Sequence, residues 1–263
     1  MSGSLDGRVA VVTGAAGDIG GAAALLFAER GAAVIGVDRR SDGLEQLREK
    51  MPPGAAFLAA TADVSDEAQV AGYVEAAKSA FGRIDIFFNN AGIEGSRTGA
   101  WCPIESLAQE DFQQIMAVNA TGVFLGLKHV IPVMVAGGGG AIVNTSSIYG
   151  LKGSRNQIAY VASKHAVRAM TVTAAKEWAA SNIRVNAIAP GAIQGRMLRD
   201  FVSIIQERSP PPDPNRPQRY NPPPIERWCD PREIAQVAAF LASDEASYIT
   251  GACYSVDGGL VAL

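Results

Sequence analysis

Residues 8–13, RVAVVT, form a largely β-branched run that ends in the glycine-rich turn Gly14-Ala15-Ala16-Gly17-Asp18-Ile19-Gly20 and an alanine- and leucine-rich helix over 21–30. A strand with no polar face must be covered on both sides, as a central strand of a parallel sheet is. The same strand–helix alternation continues down the chain, so the sequence predicts an α/β domain. Further strands are expected at 33–37 (ending at Asp38), 56–62 (ending at Asp63), 84–88, 141–145, 183–188 and 253–256. Helices are expected at 42–50, from an Asp66 cap to Ala80, and at 231–242. Longer helical stretches cover 107 to about 136 and the Tyr160 segment to about Ala180. The first of these carries Asn119 and Gly122, both poor formers for a helix interior.

Length and charge narrow the function classes. A 263-residue chain buries roughly three quarters of its unfolded surface and needs no disulfide or metal staple. With net charge −3 and scattered basic residues, it shows no footprint for nucleic acid or an anionic membrane. Cys102, Cys229 and Cys253 form no C-x-x-C pair, which points to reduced thiols and away from zinc. Apolar runs are interrupted by Glu29, Arg30, Lys128 and His129 before reaching the roughly 18 residues of a spanning helix. MSGSLDGR has no apolar signal core, so a cytoplasmic protein without a membrane partner is expected. Eight of the fourteen prolines fall between Gln194 and Trp228. Because packable pattern resumes directly afterwards, this reads as a semi-rigid loop of one domain spanning 1–263, serving as a substrate lid at about 194–228.

Two constellations carry chemistry. The turn Gly14–Gly20 lies between a strand and a helix, where glycines let backbone approach a pyrophosphate and the helix N-terminus offers N–H donors. Asp38 ends the next strand, where a carboxylate holds ribose hydroxyls and repels a 2′-phosphate, favouring NAD. Arg39 and Arg40 follow it, either as a solvated turn or as a reason to keep NADP as the alternative. Tyr160 and Lys164 are four residues apart on one helix face, where an ammonium favours the phenolate. Alone this spacing also fits a solvated pair, and Tyr149 with Lys152, three apart, offers a decoy on a glycine-flanked segment. Ser147, just after the strand AIVNTS, could bond a substrate oxygen.

Together these residues resemble the short-chain dehydrogenase/reductase family in its shorter form, from Gly7 to Gly259. Thr13–Gly20 is similar to its TGxxxGxG turn, Asp63-Val64 to its adenine-contacting pair, and Asn89-Asn90-Ala91-Gly92 to its NNAG motif. Asn119, Ser147, Tyr160 and Lys164 match its catalytic tetrad, and Pro190-Gly191, with Ile193 beyond, its turn beside the nicotinamide. The resemblance implies a doubly wound Rossmann fold with a mostly parallel seven-stranded sheet in the order 3-2-1-4-5-6-7. It implies hydride transfer with Tyr160 as general acid/base and Lys164 lowering the phenol's pKa while contacting the nicotinamide ribose. Ser147 would bond the substrate oxygen, Asn119 would position a water through its carbonyl, and no metal would be needed. A homotetramer built on the two long helices is also implied.

The chain departs from the family pattern twice. Asp18 stands where glycine is expected and is predicted to act as a local cap, and Gly195 replaces a threonine that would hold the carboxamide. Glu94, Tyr149, Gln157, Gln194 and Met197 are candidates for the substrate pocket. Segments 62–70, 81–95, 186–193 and 246–252 resemble cyclic-ketone reductases of the levodione reductase type, which favours an alicyclic secondary alcohol or ketone. The alternatives are a 3-oxoacyl-thioester or polyol-type reductase, and a non-catalytic dinucleotide sensor, which would be expected to show a broken tetrad.

Overall fold

Period-two alternation along the first strand divides the interior into two cores. In the computed structural model, which describes residues 4–95, 98–208 and 223–262, β1 (Val9–Thr13) is buried throughout. Ala10 and Val12 face one layer with Phe27, Phe88 and Ile234. Val9 and Val11 face the other with Ile35, Phe87, Val130, Met134 and Val167. Both faces are therefore covered, as the unbroken apolar run requires.

The sheet has seven strands in the order β3-β2-β1-β4-β5-β6-β7, and all six pairings are parallel. After β1 come β2 (Ala33–Asp38), β3 (Phe57–Thr61), β4 (Ile86–Asn89), β5 (Gly140–Thr145), β6 (Ile183–Pro190) and β7 (Cys253–Val256). The crossover helices are α1 (Asp18–Glu29), α2 (Ser41–Glu49), α3 (Glu67–Phe81), α4 (Gln109–Met116), α5 (Gly122–Ala136), α6 (Ile158–Trp178), α7 (Arg196–Arg208) and α8 (Pro231–Ala242). Asp66 caps α3 as expected, accepting from the amides of Ala68 and Gln69.

Three expectations change. The first helix begins at Asp18, inside the glycine turn, rather than at Gly21. The long helical stretch is interrupted by a π-helical turn over Ala117–Thr121, which is how the chain absorbs Asn119 in mid-helix. The supposed loop after Gln194 opens with α7, while the proline run at 209–222 lies outside the described residues. One apolarity estimate is also revised. The continuous span Gln109–Ala136 has an 18-residue window of mean hydropathy 1.4, long enough to cross a bilayer. More than half of that window is buried inside the protein, however, with Val123, Leu127, Val130 and Met134 in the core.

α5 approaches the sheet at a glycine. A Cβ on Gly126 would lie 2.7 Å from the ring of Phe87, which is fully buried and has nowhere to move. Alanine improves intrinsic helix propensity by about 1 kcal/mol, but overpacking a tight core costs roughly 1–3 kcal/mol. Gly126→Ala is therefore expected to lower stability in urea denaturation; a gain of the full propensity increment would contradict this packing.

Candidate active site

The carboxyl ends of β1, β4, β5 and β6 border a cavity of about 560 Å³, in the crevice where strand order reverses between β1 and β4. One wall is the glycine turn with Gly14, Gly17, Asp18, Ile19 and Gly20. Gly14 takes φ +69°, and a Cβ there would come within 3.0 Å of Ala91 Cα. A Cβ on Gly20 would run into the Gly14 carbonyl. The N-cap of α1, Gly17, offers no side-chain acceptor, so the first-turn amides have no intrahelical partner. This cradle fits a pyrophosphate.

Thr13 fastens the turn to the segment after β4. Its Oγ1 accepts from the amides of Asn90 (2.9 Å) and Ala91 (3.0 Å), and its carbonyl accepts from Asn90 Nδ2 at 3.0 Å. Thr145 Oγ1 donates to Asn90 Oδ1 at 3.2 Å, so Asn90, Ala91 and Gly92 are pinned beside the cavity they line. Asp38 lines it too, accepting from Ala16 N–H at 3.1 Å and from Arg40 N–H at 3.0 Å. Arg40 is not a solvated turn residue, because its guanidinium folds back onto the Ala16 carbonyl and lies 3.7 Å from Asp38. Arg39 is exposed. Asp63 and Val64 do not border this cavity. Asp63 Oδ1 is bound by the Ser65 amide and hydroxyl, and Val64 packs over Gly122.

The four tetrad residues converge at the other end. Ser147 follows β5 and caps a short turn by accepting from Tyr149 N–H at 3.2 Å. Its hydroxyl faces that of Tyr160 and acts to lower the phenol's pKa; Tyr160 comes from the first turn of α6. Lys164, one turn later, is 3% exposed; its Nζ donates to the Thr145 carbonyl at 2.9 Å and lies 5.7 Å from the Tyr160 ring centroid. Asn119 is fully buried and clamps Ile93, accepting from its N–H and donating to its carbonyl, each at 2.8 Å. It also donates to Ser163 Oγ at 3.1 Å. A Cβ on Gly92 would sit 3.2 Å from both Asn119 Oδ1 and Lys164 Nζ, so Gly92 separates the two by little more than a backbone.

The electrostatics differ from the sequence expectation. Burial pushes Tyr160 up to about 12, opposed by the Ser147 hydroxyl beside it and reinforced by the charges of Glu94 and Tyr149. Burial likewise pulls Lys164 down to about 8. Although Tyr160 keeps a partly exposed edge on the cavity, its ring is enclosed, and desolvation outweighs any help from the neighbouring ammonium. In the unliganded protein the proton stays on the phenol.

Glu94, Tyr149, Gln157, Gln194 and Met197 all line the same cavity. Tyr149 meets Tyr160 edge-on with centroids 6.3 Å apart, so the second tyrosine–lysine pair supplies a wall residue. Gln157 stands at the N-cap position of α6, 3% exposed, with its Oε1 lacking a hydrogen-bond partner among the described residues. Gln194 and Met197 sit on the exposed rim. Asp18 does not cap its own turn; its Oδ2 accepts from the Arg196 amide at 2.8 Å. Thr13, Thr145 and Ser163 escaped the sequence reading as site residues, although Thr13 stood within the recognised turn.

Known proteins share this arrangement over nearly the full length. The family model described as Enoyl-(Acyl carrier protein) reductase matches residues 14–261. Levodione reductase of Leifsonia aquatica is 42% identical over 96% of this chain and 93% of its own. The 3-oxoacyl-[acyl-carrier-protein] reductase FabG of Thermotoga maritima is 40% identical over 98% and 99%. The crystal structure of NAD+-bound xylitol dehydrogenase superposes with a TM-score of 0.88 at 37% identity, covering 97% of this chain and 99% of that one. The chain belongs to the short-chain dehydrogenase/reductase family, a family of oxidoreductases that use a nicotinamide dinucleotide.

Proposed function

We propose that this chain is an NAD-dependent oxidoreductase interconverting a secondary alcohol and a ketone of alicyclic type, with Tyr160 as its general acid/base. The observation that carries the reading is the convergence of Ser147, Tyr160 and Lys164 on the wall of a cavity whose other end is a pyrophosphate cradle. When bound, the dinucleotide supplies the hydride acceptor or donor. Asp38 supports NAD over NADP, since its carboxylate would meet a 2′-phosphate with like charge.

The chain's own groups divide the remaining work. Ser147 and Tyr160 offer two hydroxyls to one substrate oxygen: Ser147 stabilises charge developing on it, and Tyr160 exchanges its proton. Lys164, fixed by the Thr145 carbonyl, holds positive charge below the phenol. Asn119 orders the Ile93 backbone and Ser163 beside it. The likeness to levodione reductase supports an alicyclic substrate. A polyol-type substrate is the second reading, favoured by the buried Gln157 amide oxygen without a partner among the described residues and by the likeness to xylitol dehydrogenase. A 3-oxoacyl-thioester on an acidic carrier is served less well by Asp38, Glu94 and a net charge of −3. Exposed Phe124 and Val172, on α5 and α6, support a homotetramer built on those helices.

Two measurements test this. Tyr160→Phe is expected to lower NAD-linked oxidation across an alcohol panel by about 10²–10⁴-fold, with NAD outperforming NADP in the wild type. Turnover indifferent to the substitution would remove the mechanism, and NADP preference would remove the Asp38 argument. The second concerns Lys164, lowered from 10.5 to about 8 in the folded chain. Between those values the unfolded chain binds more protons, so stability rises with pH through this window, by an amount on the order of 3 kcal/mol. Urea denaturation from pH 7.5 to 10.5 should show that rise in the wild type and its loss in Lys164→Met; parallel curves would contradict the burial of the ammonium.

A further inference from the structure

The two departures from the family pattern meet in space. α7 begins at Arg196, and the Gly195 carbonyl accepts from Arg199 N–H at 3.2 Å, which makes Gly195 the residue that opens the helix. Glycine has no side-chain oxygen with which to satisfy the first amides. The missing acceptor comes from 178 positions away: Asp18 Oδ2 takes the Arg196 N–H at 2.8 Å. The same carboxylate fills the space that a side chain at 195 would need, since a Cβ there would overlap it and stand 3.0 Å from Asp18 Cβ. On its other side the strand before α7 is held by backbone bonds to Cys229, from Gln194 N–H (2.9 Å) and, in the reverse direction, to the Ala192 carbonyl (3.1 Å). The segment 192–196 is thus suspended between a fixed backbone pairing and one carboxylate on the glycine turn.

We propose that Asp18 is a positioning residue that latches α7 to the glycine turn, that Gly195 is its required partner, and that this latch governs how long a dinucleotide stays in the cleft. Three physical points support it. A carboxylate at a helix N-terminus is favoured by the dipole and by the unpaired amides. Charge-assisted bonds of this kind are roughly twice as strong as neutral ones. Asp18, Gly195 and Arg196 all border the cavity, so whatever loosens them opens its wall. The carboxylate of Asp18 is thereby engaged with the start of α7 rather than with its own turn. The effect on cofactor residence rests on the dinucleotide reading above; the latch itself does not.

The test uses hydrogen exchange at the Arg196 amide and stopped-flow release of NADH from the full chain. Asp18→Gly is expected to speed Arg196 exchange and NADH release by about tenfold, the loss of one charge-assisted bond. Gly195→Ala should do the same, because the new Cβ evicts the carboxylate. The double variant should be no worse than Gly195→Ala alone. Asp18→Asn, which keeps an acceptor oxygen without the charge, should retain most of the protection and so separates the bond from simple repulsion of the cofactor. Arg196 exchange unchanged in Asp18→Gly, or effects that multiply in the double variant, overturns the latch. Loosened Arg196 with unchanged NADH release overturns its positioning role. Failure of the wild type to bind NADH would instead strike the dinucleotide reading, and Arg196 exchange would still decide the latch.

Discussion

A hydrogen bond from Lys164 Nζ to the carbonyl of Thr145, seconded by one from Ser146 Oγ to the Lys164 carbonyl, ties the helix that carries Tyr160 to the end of the strand that delivers Ser147. Without the Lys164 bond an ammonium almost wholly removed from water would have no fixed acceptor at that strand end. The bond is local, but what it holds together is not: Thr145 also reaches Asn90, and Asn90 is locked to Thr13 at the mouth of the glycine turn. A chain of short polar contacts therefore runs along the carboxyl edge of the sheet, from Ser147 and Tyr160 to the glycine turn.

The same burial that fixes Lys164 also sets the proton inventory. Desolvation disfavours both charged forms, raising the phenol and lowering the ammonium. The unliganded site is consequently in a resting state, with a neutral tyrosine beside Ser147. A cationic nicotinamide ring placed beside it would favour the phenolate by the ordinary rule for a neighbouring opposite charge. Activation of the tyrosine then belongs to the loaded cleft, and the Lys164 charge supports it without accomplishing it alone.

Much of this was legible in the residues, because the fold depends on patterns that sequence displays directly. Continuous apolar runs announced the buried strands, Asp66 announced its cap, and the glycine turn marked what became a wall of the cavity. What could not be read were effects of distance. Asp18 looked like a local cap because nothing nearby in sequence says that Arg196 will arrive beside it. Arg40 looked solvated because its folding back onto Ala16 depends on where α2 packs. The Tyr160 shift could not be read from spacing either, since i,i+4 geometry reports the proximity of a charge and says nothing about the water excluded around it. The helix α7 was hidden by the prolines that follow it, which dominate the composition of the whole segment.

The account stands on Tyr160 changing its protonation when the cleft is filled. The most direct measurement is a spectroscopic pH titration of tyrosinate, with and without saturating NAD+, using Tyr160→Phe to subtract the other tyrosines. The account predicts that the difference signal titrates near 12 in the unliganded protein and moves well down toward neutrality when NAD+ is bound. A Tyr160 signal that stays in place on NAD+ binding, in a protein that still oxidises alcohols, would contradict it.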